Sequence, residues 1–251
     1  MPYIEEICVA GNVVEVNKYY SFRYHAKGEK RSEKENDTSD AQKRINQRKA
    51  EKELRRLMNA NFVDGDYLIR LDFFKRPPGS VEMQKLVSAF LRKLRTALRK
   101  LGIEIKYIYV KEVGPRGGRH IHMMLTKCDT DIIRKLWTHG GIHIDPLNTN
   151  GQYGKIASYF IKYAARTEET EGRLIGKRWY SSRNLEKPKV VKKIISANEF
   201  RKDIKKNHKK AIENGEYILD KDTLRTGISD ETGYGYFTYT LIRTESKRKG
   251  G

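Results

Sequence analysis

One predicted hairpin constrains the fold of this chain more than any other segment. Ile103–Glu112 has the apolar pattern of a strand, Gly114–Gly118 supplies a turn, and Arg119–Leu125 alternates polar and apolar side chains. Successive side chains of a strand point to opposite faces of its sheet, so His120 and His122 share one face and the intervening apolar residues share the other. The segment therefore predicts an antiparallel sheet with one apolar face and one face that carries imidazoles.

Other strand and helix patterns surround this hairpin without a strict strand-helix-strand repeat. They predict strands over Tyr67–Phe73 and 142–145, and helices from a Ser80 cap to a Gly102 stop, over 130–137 and over 152–166. Irregular mixing of strands and helices is typical of α+β domains. We therefore predict an antiparallel sheet with helices packed on it.

The two ends of the chain read as extensions of this central domain. We predict the following segments: strands within 7–16 and 19–24, a polar linker over 27–40, a basic helix from a Ser39–Gln42 capping box to Asn61, a second basic helix over Asn198–Asn214, and a late strand over Tyr236–Ile242. The expected domains are residues 1–60, 61–190 and 191–251, with the main domain in the centre.

Charge and composition narrow the class of function. The chain has 52 Lys and Arg against 32 Asp and Glu, a formal net charge of +20, which favours nucleic acid as a partner. An acidic membrane surface is the rival, but no run of about 20 apolar residues and no secretion signal is present, so we expect a soluble cytoplasmic protein without a membrane partner. No phosphate-binding Gly-x-x-x-x-Gly-Lys-Ser/Thr loop occurs, so any helicase activity would come from another protein.

The hairpin also predicts a metal site. With only Cys8 and Cys128 in the chain, a metal would use His and carboxylate ligands. If the turn closes the hairpin, Glu112 lies opposite His120, and directly paired residues share a face. Two imidazoles and one carboxylate then form an open three-ligand site suited to Lewis-acid catalysis with Mg²⁺ or Mn²⁺. Two alternatives remain: a solvated polar strand face, and the similar ligand set of non-haem iron oxygenases.

A second motif lies on the predicted helix 152–166. Tyr159 and Tyr163 are one helical turn apart, beside Lys162. Such aromatic pairs are commonly packing residues, but a phenol near a cation and a metal-polarised phosphate can act as a nucleophile. We therefore predict Tyr159 and Tyr163 as candidate nucleophiles and Lys162 as their cationic neighbour, with Tyr153 as a third candidate.

The order of these motifs resembles the HUH endonucleases, and more narrowly the two-tyrosine rolling-circle replication initiators of small phages and plasmids. The resemblance covers about residues 60–190. It rests on the strand 67–73, Glu112-x-Gly114, His120-x-His122, Tyr159-x-x-Lys162-Tyr163 and the segment Trp179–Leu185. It implies a ferredoxin-like sheet that carries the metal, with the tyrosine helix laid across it, and it favours Tyr159 as the first nucleophile.

The resemblance also implies an activity. A tyrosine would cut single-stranded DNA at a replication origin, such as a hairpin, keep the 5′-phosphate covalently and free a 3′-hydroxyl for a host polymerase working with a host helicase. An HUH relaxase or transposase, or a non-catalytic nucleic-acid binding protein, is the alternative. Basic side chains expected to contact DNA are Arg44, Arg48, Arg55, Arg70, Lys155, Arg166 and Arg183.

Overall fold

The computed structural model describes residues 2–22, 40–74, 78–114, 117–149, 152–171, 176–201, 212–230 and 232–244. Within them the chain forms two five-stranded antiparallel sheets and five helices, which confirms the predicted α+β class. The chain divides into two compact units, residues 45–186 and residues 1–44 with 187–251. No helix in these described ranges is both long and apolar enough to cross a bilayer.

Strands and helices follow one another irregularly along the chain. They are β1 (Tyr3–Ala10), β2 (Val13–Tyr20), α1 (Asp40–Asn61), β3 (Tyr67–Asp72), α2 (Ser80–Arg99), β4 (Tyr107–Val113), β5 (Arg119–Leu125), α3 (Thr130–Leu136), β6 (Ile142–Pro146), α4 (Gly154–Glu171), β7 (Tyr180–Ser181), β8 (Lys189–Ile195), α5 (Ala197–Phe200), β9 (Tyr217–Ile228) and β10 (Gly235–Arg243).

The unit of residues 45–186 is a sheet in the order β6-β3-β5-β4-β7, with helices on both faces. Helices α2 and α3 cover one face, where Ile121, Met123 and Leu125 of β5 are buried as predicted. Helices α1 and α4 cover the other face, where Ile108 and Val110 of β4 are buried against them. Helices with apolar sides cover both faces of the sheet. The unit therefore has two hydrophobic core layers, one on each side of the sheet.

The strand register places polar residues side by side on the α4 face. In the β4-β5 hairpin Glu112 pairs with His120, as the sequence predicts. On the other side of β5, strand β3 pairs Asp72 with His120 and Arg70 with His122. Paired residues point to the same face of the sheet, so these five side chains form one polar end of an otherwise apolar surface.

The unit of residues 1–44 and 187–251 is a sheet in the order β8-β1-β2-β10-β9. The two ends of the chain are predicted from sequence as separate extensions, whereas strands from both ends share this sheet. Its small core centres on Val14 and Val16 of β2 with Tyr239 and Leu241 of β10. Between β2 and β1, the buried Lys18 ammonium lies 3.6 Å from the Glu5 carboxylate, so its charge is paired.

Several element boundaries differ from the sequence predictions. Strand β4 starts at Tyr107 rather than Ile103. Strands β1 and β2 meet at Gly11–Asn12, which the sequence indicates as a turn, so their bounds differ from the predicted 7–16 and 19–24. Ser80 does not cap α2, because the N-cap is Gly79 and the Ser80 hydroxyl accepts a hydrogen bond from Arg119 instead. The predicted linker and the Ser39 cap, and most of the predicted helix after Phe200, lie outside the described residues.

One buried side chain fastens α4 to β4. The Thr167 hydroxyl accepts a hydrogen bond from the Val113 backbone N–H and lies at 3.0 Å from the Lys111 carbonyl oxygen. These two backbone groups flank Glu112, so Thr167 fixes the position of α4 along β4, next to the Glu112 carboxylate. Thr167 is 4% exposed, and the bonds that it makes are therefore protected from water.

We predict that Thr167→Val lowers the free energy of unfolding by about 2 kcal/mol, because it leaves the buried Val113 N–H without an acceptor. Thr170→Val is the matched control, since Thr170 is an exposed residue of the same helix and its hydroxyl donates to the Arg166 carbonyl oxygen. Urea unfolding followed by circular dichroism measures both variants. Equal, small losses in the two variants would contradict the role given to Thr167.

Candidate active site

A cavity of about 410 Å³ opens at the polar end of the sheet, beneath α4. It brings together the predicted metal ligands, the predicted nucleophiles and two of the predicted DNA contacts. Its lining consists of Arg70, Glu112, Gly114, His120, His122, Tyr159, Lys162, Tyr163 and Arg166. Residues from β3, β4, β5 and α4 thus meet in one concave site, as a catalytic centre requires.

Glu112 is the acidic residue in the lining of the cavity. Its Oε2 lies 2.6 Å from Nε2 of His122, and its Oε1 accepts a hydrogen bond of 2.8 Å from Arg166. Burial raises the pKa of Glu112, but the His122 hydrogen bond and the charges of His122 and Arg166 outweigh burial, so the pKa lies below the ordinary value of a glutamate. The carboxylate is therefore charged and able to bind a cation at neutral pH.

Asp72 is a site residue that the sequence motifs do not reveal. Its Oδ1 lies 2.7 Å from Nδ1 of His120 and accepts a hydrogen bond from Arg70, and its Oδ2 lies 3.5 Å from Nε2 of His143. A carboxylate at Nδ1 favours the tautomer that leaves the Nε2 lone pair of His120 available to a ligand. The predicted strand 67–73 contains Asp72, but local sequence does not indicate which strand pairs with it.

The loop before β6 closes tightly on Asp72. The Trp137 indole N–H donates to the Asp72 carbonyl oxygen, and the Asp72 N–H donates to the Gly141 carbonyl oxygen. A Cβ at Gly140 would overlap the Asp72 carbonyl oxygen, so the close approach of this loop requires glycine there. Backbone contacts therefore hold Asp72 in place independently of its side-chain partners.

Helix α4 presents two tyrosines to the cavity in different environments. Tyr159, Lys162, Tyr163 and Arg166 follow helical spacing along one side of the helix, while Phe160 is buried beneath it. The ring of Tyr163 stacks on His122 with centroids 4.2 Å apart, and the Tyr159 ring lies 6.4 Å farther along. Tyr159 is 56% exposed, so its hydroxyl is open to an incoming strand.

Burial and the charge of Glu112 raise the pKa of the Tyr163 phenol above its ordinary value. Raising this pKa favours the neutral phenol and makes Tyr163 a weaker nucleophile in the free protein. Tyr153, the third candidate from sequence, is fully buried and its hydroxyl lies 3.5 Å from Asp64, so it is a core residue. Exposure thus favours Tyr159 over the other two.

The donor atoms in the cavity suit a divalent cation. Imidazole nitrogen and carboxylate oxygen are ligands that Mn²⁺ accepts, and carboxylate oxygen suits Mg²⁺. Nε2 of His122 and Oε2 of Glu112 already converge, while the centroids of the His120 and His122 rings are 6.4 Å apart. In the described part of the chain no three His, Cys, Asp or Glu groups form a complete ligand cluster, so His120 would have to approach the other two ligands.

The residues predicted to contact DNA lie in different parts of the structure. Arg70 and Arg166 line the cavity together with Lys162. Arg183 lines a different cavity, beside α2. The remaining four do not line either cavity: Arg48, Arg55 and Lys155 belong to the unit of residues 45–186, and Arg44 belongs to the other unit.

Comparison with known families gives one match. Residues 74–168, well under half of the chain, match the family model described as Replication-associated protein ORF2/G2P. The matched range includes Glu112, both histidines and both tyrosines of the cavity. Neither the curated proteins nor the solved structures that were compared gave a match. The chain is thus similar to a replication-associated family over β4, β5 and most of α4, whereas β3 lies before the matched range. This similarity supports a role in starting replication.

We predict that Glu112→Gln lowers the free energy of unfolding at pH 7 by about 2 kcal/mol, because hydrogen bonds to a charged group are lost. The pKa of Glu112 is lowered in the folded state, so its contribution is complete above the unfolded-state pKa and is lost as the pH falls through the folded-state pKa. The difference from the unsubstituted protein should therefore shrink below about pH 4.

Urea unfolding in the presence of a chelator measures this difference across the pH range. Glu186→Gln is the control, because Glu186 pairs with Lys106 on the surface and such pairs contribute little. A stability difference for Glu112→Gln that stayed constant down to about pH 3 would rule out the charge of Glu112 as its source.

Proposed function

We propose that this chain is a metal-dependent enzyme that nicks and rejoins single-stranded DNA to initiate rolling-circle replication. The observation that carries the proposal is that Tyr159 and Tyr163 line the same cavity as Glu112, His120 and His122. A nucleophile, a candidate cation site and basic side chains in one concavity are the parts required for phosphodiester transesterification. The match to a replication-associated family over residues 74–168 supports the biological setting.

The cleavage step exchanges one phosphate ester for another. The Tyr159 hydroxyl oxygen forms a bond to the scissile phosphorus, and the bond from phosphorus to the 3′-oxygen of the upstream nucleotide breaks. The phenol loses its proton, and the released 3′-oxygen takes one up, so the charge of the phosphate is unchanged. The DNA 5′-phosphate then remains on the tyrosine, and the free 3′-hydroxyl can prime a polymerase or reverse the reaction.

A divalent cation held by Glu112, His120 and His122 would act as a Lewis acid on the scissile phosphate. The protein side chains supply the rest. Lys162 and Arg166 lie at the same cavity as Tyr159 and can hold the phosphate for attack, and Arg70 adds a third cation from β3. Asp72 would orient His120, because its carboxylate hydrogen-bonds Nδ1 and leaves Nε2 for a ligand.

The two tyrosines suit successive roles. Tyr159 is exposed and can meet the first strand, while Tyr163 is held against His122 by ring stacking. Once a DNA end occupies Tyr159, an attack by Tyr163 on a second phosphodiester would free a new 3′-hydroxyl. That hydroxyl would attack the phosphotyrosine of Tyr159, release the tyrosine oxygen and close the strand. A host helicase and polymerase would unwind and copy the DNA between the two attacks. An HUH relaxase or transposase would use the same chemistry on other DNA ends.

We predict that Tyr159→Phe reduces the covalent adduct with single-stranded origin DNA by more than about a hundredfold, because the attacking oxygen is removed. Denaturing electrophoresis with a labelled oligonucleotide and Mn²⁺ measures the adduct. Tyr234→Phe, an exposed tyrosine of the other unit, is the control and should retain full activity. Loss of the adduct in Tyr163→Phe but not in Tyr159→Phe would reverse the order of the nucleophiles.

We also predict that His122→Ala and His120→Ala each weaken Mn²⁺ binding at least about tenfold, because each removes a ligand. Electron paramagnetic resonance of free Mn²⁺ measures the affinity without any reaction. His139→Ala is the control, since His139 packs on Trp137 and does not line the cavity. Unchanged Mn²⁺ affinity in both site variants, or an adduct that persists in excess chelator, would refute the metal role.

A further inference from the structure

A second and larger cavity lies on the other side of the same sheet. Its volume is about 970 Å³, near the upper end of the range for ligand pockets. It is bounded by α2, by Tyr107 and Tyr109 of β4 and by residues 180–184. Because side chains of β4 alternate between faces, Tyr109 points away from the face that carries Glu112. The proposed chemistry does not use this cavity.

Four arginines make the cavity strongly cationic. Arg92, Arg95 and Arg99 follow a spacing of three and four residues, which places them on one side of α2, and Arg183 faces them from the turn after β7. All four are exposed. Among the described residues none of the four forms an ion pair. Their charges are therefore available to an external anion.

Carboxylates contribute little to this cavity. Glu104 is the acidic residue of its lining, and its Oε1 accepts a hydrogen bond from the Asn184 side chain. Four guanidinium groups against one carboxylate leave an excess of positive charge. A guanidinium presents its N–H donors in a planar fork that matches phosphate oxygens, so phosphate is the anion that this set of residues suits best.

The tyrosines beneath the arginines form a firm wall. Arg95 donates a hydrogen bond of 3.1 Å to the Tyr107 hydroxyl, and Gln84 donates one of 2.7 Å to the Tyr109 hydroxyl. The Tyr180 ring stacks on Tyr109 with centroids 5.1 Å apart and is half-buried, so part of its surface faces the cavity. Arginines beside a partly open aromatic ring are typical of grooves that bind single-stranded nucleic acid.

We propose that this cavity is a second DNA-binding site, which holds the phosphate backbone of single-stranded DNA outside the active site. The inference rests on the proposed function for the choice of DNA over RNA. Arg92, Arg95, Arg99 and Arg183 contact phosphates, and Tyr180 offers a surface for a base. A duplex fits less well, because its bases are stacked on one another and could not contact the Tyr180 ring. The site gives the enzyme a hold on DNA that does not depend on cleavage.

The test compares two double variants that remove the same charge from the same helix. Arg92→Gln with Arg99→Gln changes the cavity, whereas Lys93→Gln with Lys100→Gln changes exposed residues of α2 and its end that do not line it. Fluorescence anisotropy of the full chain with a labelled oligothymidylate in chelator measures affinity without cleavage. Arg183→Gln, in a turn, supplies an independent variant that leaves α2 intact.

We expect the arginine double variant to lose at least about fivefold in affinity and to lower the salt slope by about 1.4, the value for two lost single-strand phosphate contacts. Arg183→Gln should weaken binding in the same direction, and the lysine control should change affinity less than about twofold. Equal losses in the two double variants would overturn the proposal. So would an unchanged affinity for oligothymidylate with a lost affinity for polyglutamate, which would assign the cavity to an acidic protein.

A loss of affinity for duplex DNA alone would also overturn the proposal. Because the assay contains a chelator, its result is independent of the nicking reaction. If the protein forms no covalent adduct but the arginine variants lose affinity for oligothymidylate as expected, the proposed function is wrong and the second DNA-binding site is supported. The opposite pair of results would keep the nicking reaction and remove the second site.

Discussion

The register of β5 between β3 and β4 is the constraint on which the candidate site depends. In this register His120 lies opposite Asp72 on one side and opposite Glu112 on the other. A shift of either pairing by one residue would turn the partner side chain to the opposite face of the sheet. The apolar residues at 121, 123 and 125 resist such a shift, because they are fully buried against α2 and α3. Burial on one face thus fixes the polar chemistry on the other.

The second constraint is the placement of α4 on that polar face. The helix has a buried side with Phe160 and Ala164, and an outer side with Tyr159 and Lys162. Thr167 ties it to the backbone of β4, and Arg166 reaches Glu112 from the same turn. The Glu112 carboxylate is therefore in contact with a guanidinium of the helix and an imidazole of the sheet. These partners keep the pKa of Glu112 below its ordinary value, so the carboxylate stays charged although it is partly buried.

The sequence was sufficient for the hairpin and for the tyrosine helix, because both follow strict local periods. Alternation placed His120 and His122 together, and helical spacing placed Tyr159 beside Tyr163. The place of Asp72 in the site and the second cavity could not be predicted from the sequence, because they depend on which strands pair and which helix covers which face. Strands β8 and β9 were missed because their side chains are mostly exposed and Lys189–Ile195 lacks the alternation of a half-buried strand. Ser80 was assigned as a cap because local sequence does not reveal its contact with Arg119.

The two proposals assign different roles to the two faces of the sheet. One face would hold the reacting phosphate among Glu112, His122 and Tyr159, and the other would hold neighbouring DNA on the arginines of α2. This arrangement is consistent with the net charge of +20. Chemistry and retention of DNA would then be separable properties of one domain.

Peptide mapping of the protein after reaction with a single-stranded oligonucleotide tests the central claim most directly. Trypsin cleaves after Lys155, Lys162 and Arg166, so Tyr159 and Tyr163 fall in different peptides. We expect the peptide Ile156–Lys162 to carry a nucleotide joined through its 5′-phosphate to Tyr159. A nucleotide on a peptide outside α4, or one joined through a 3′-phosphate, would contradict the proposed chemistry.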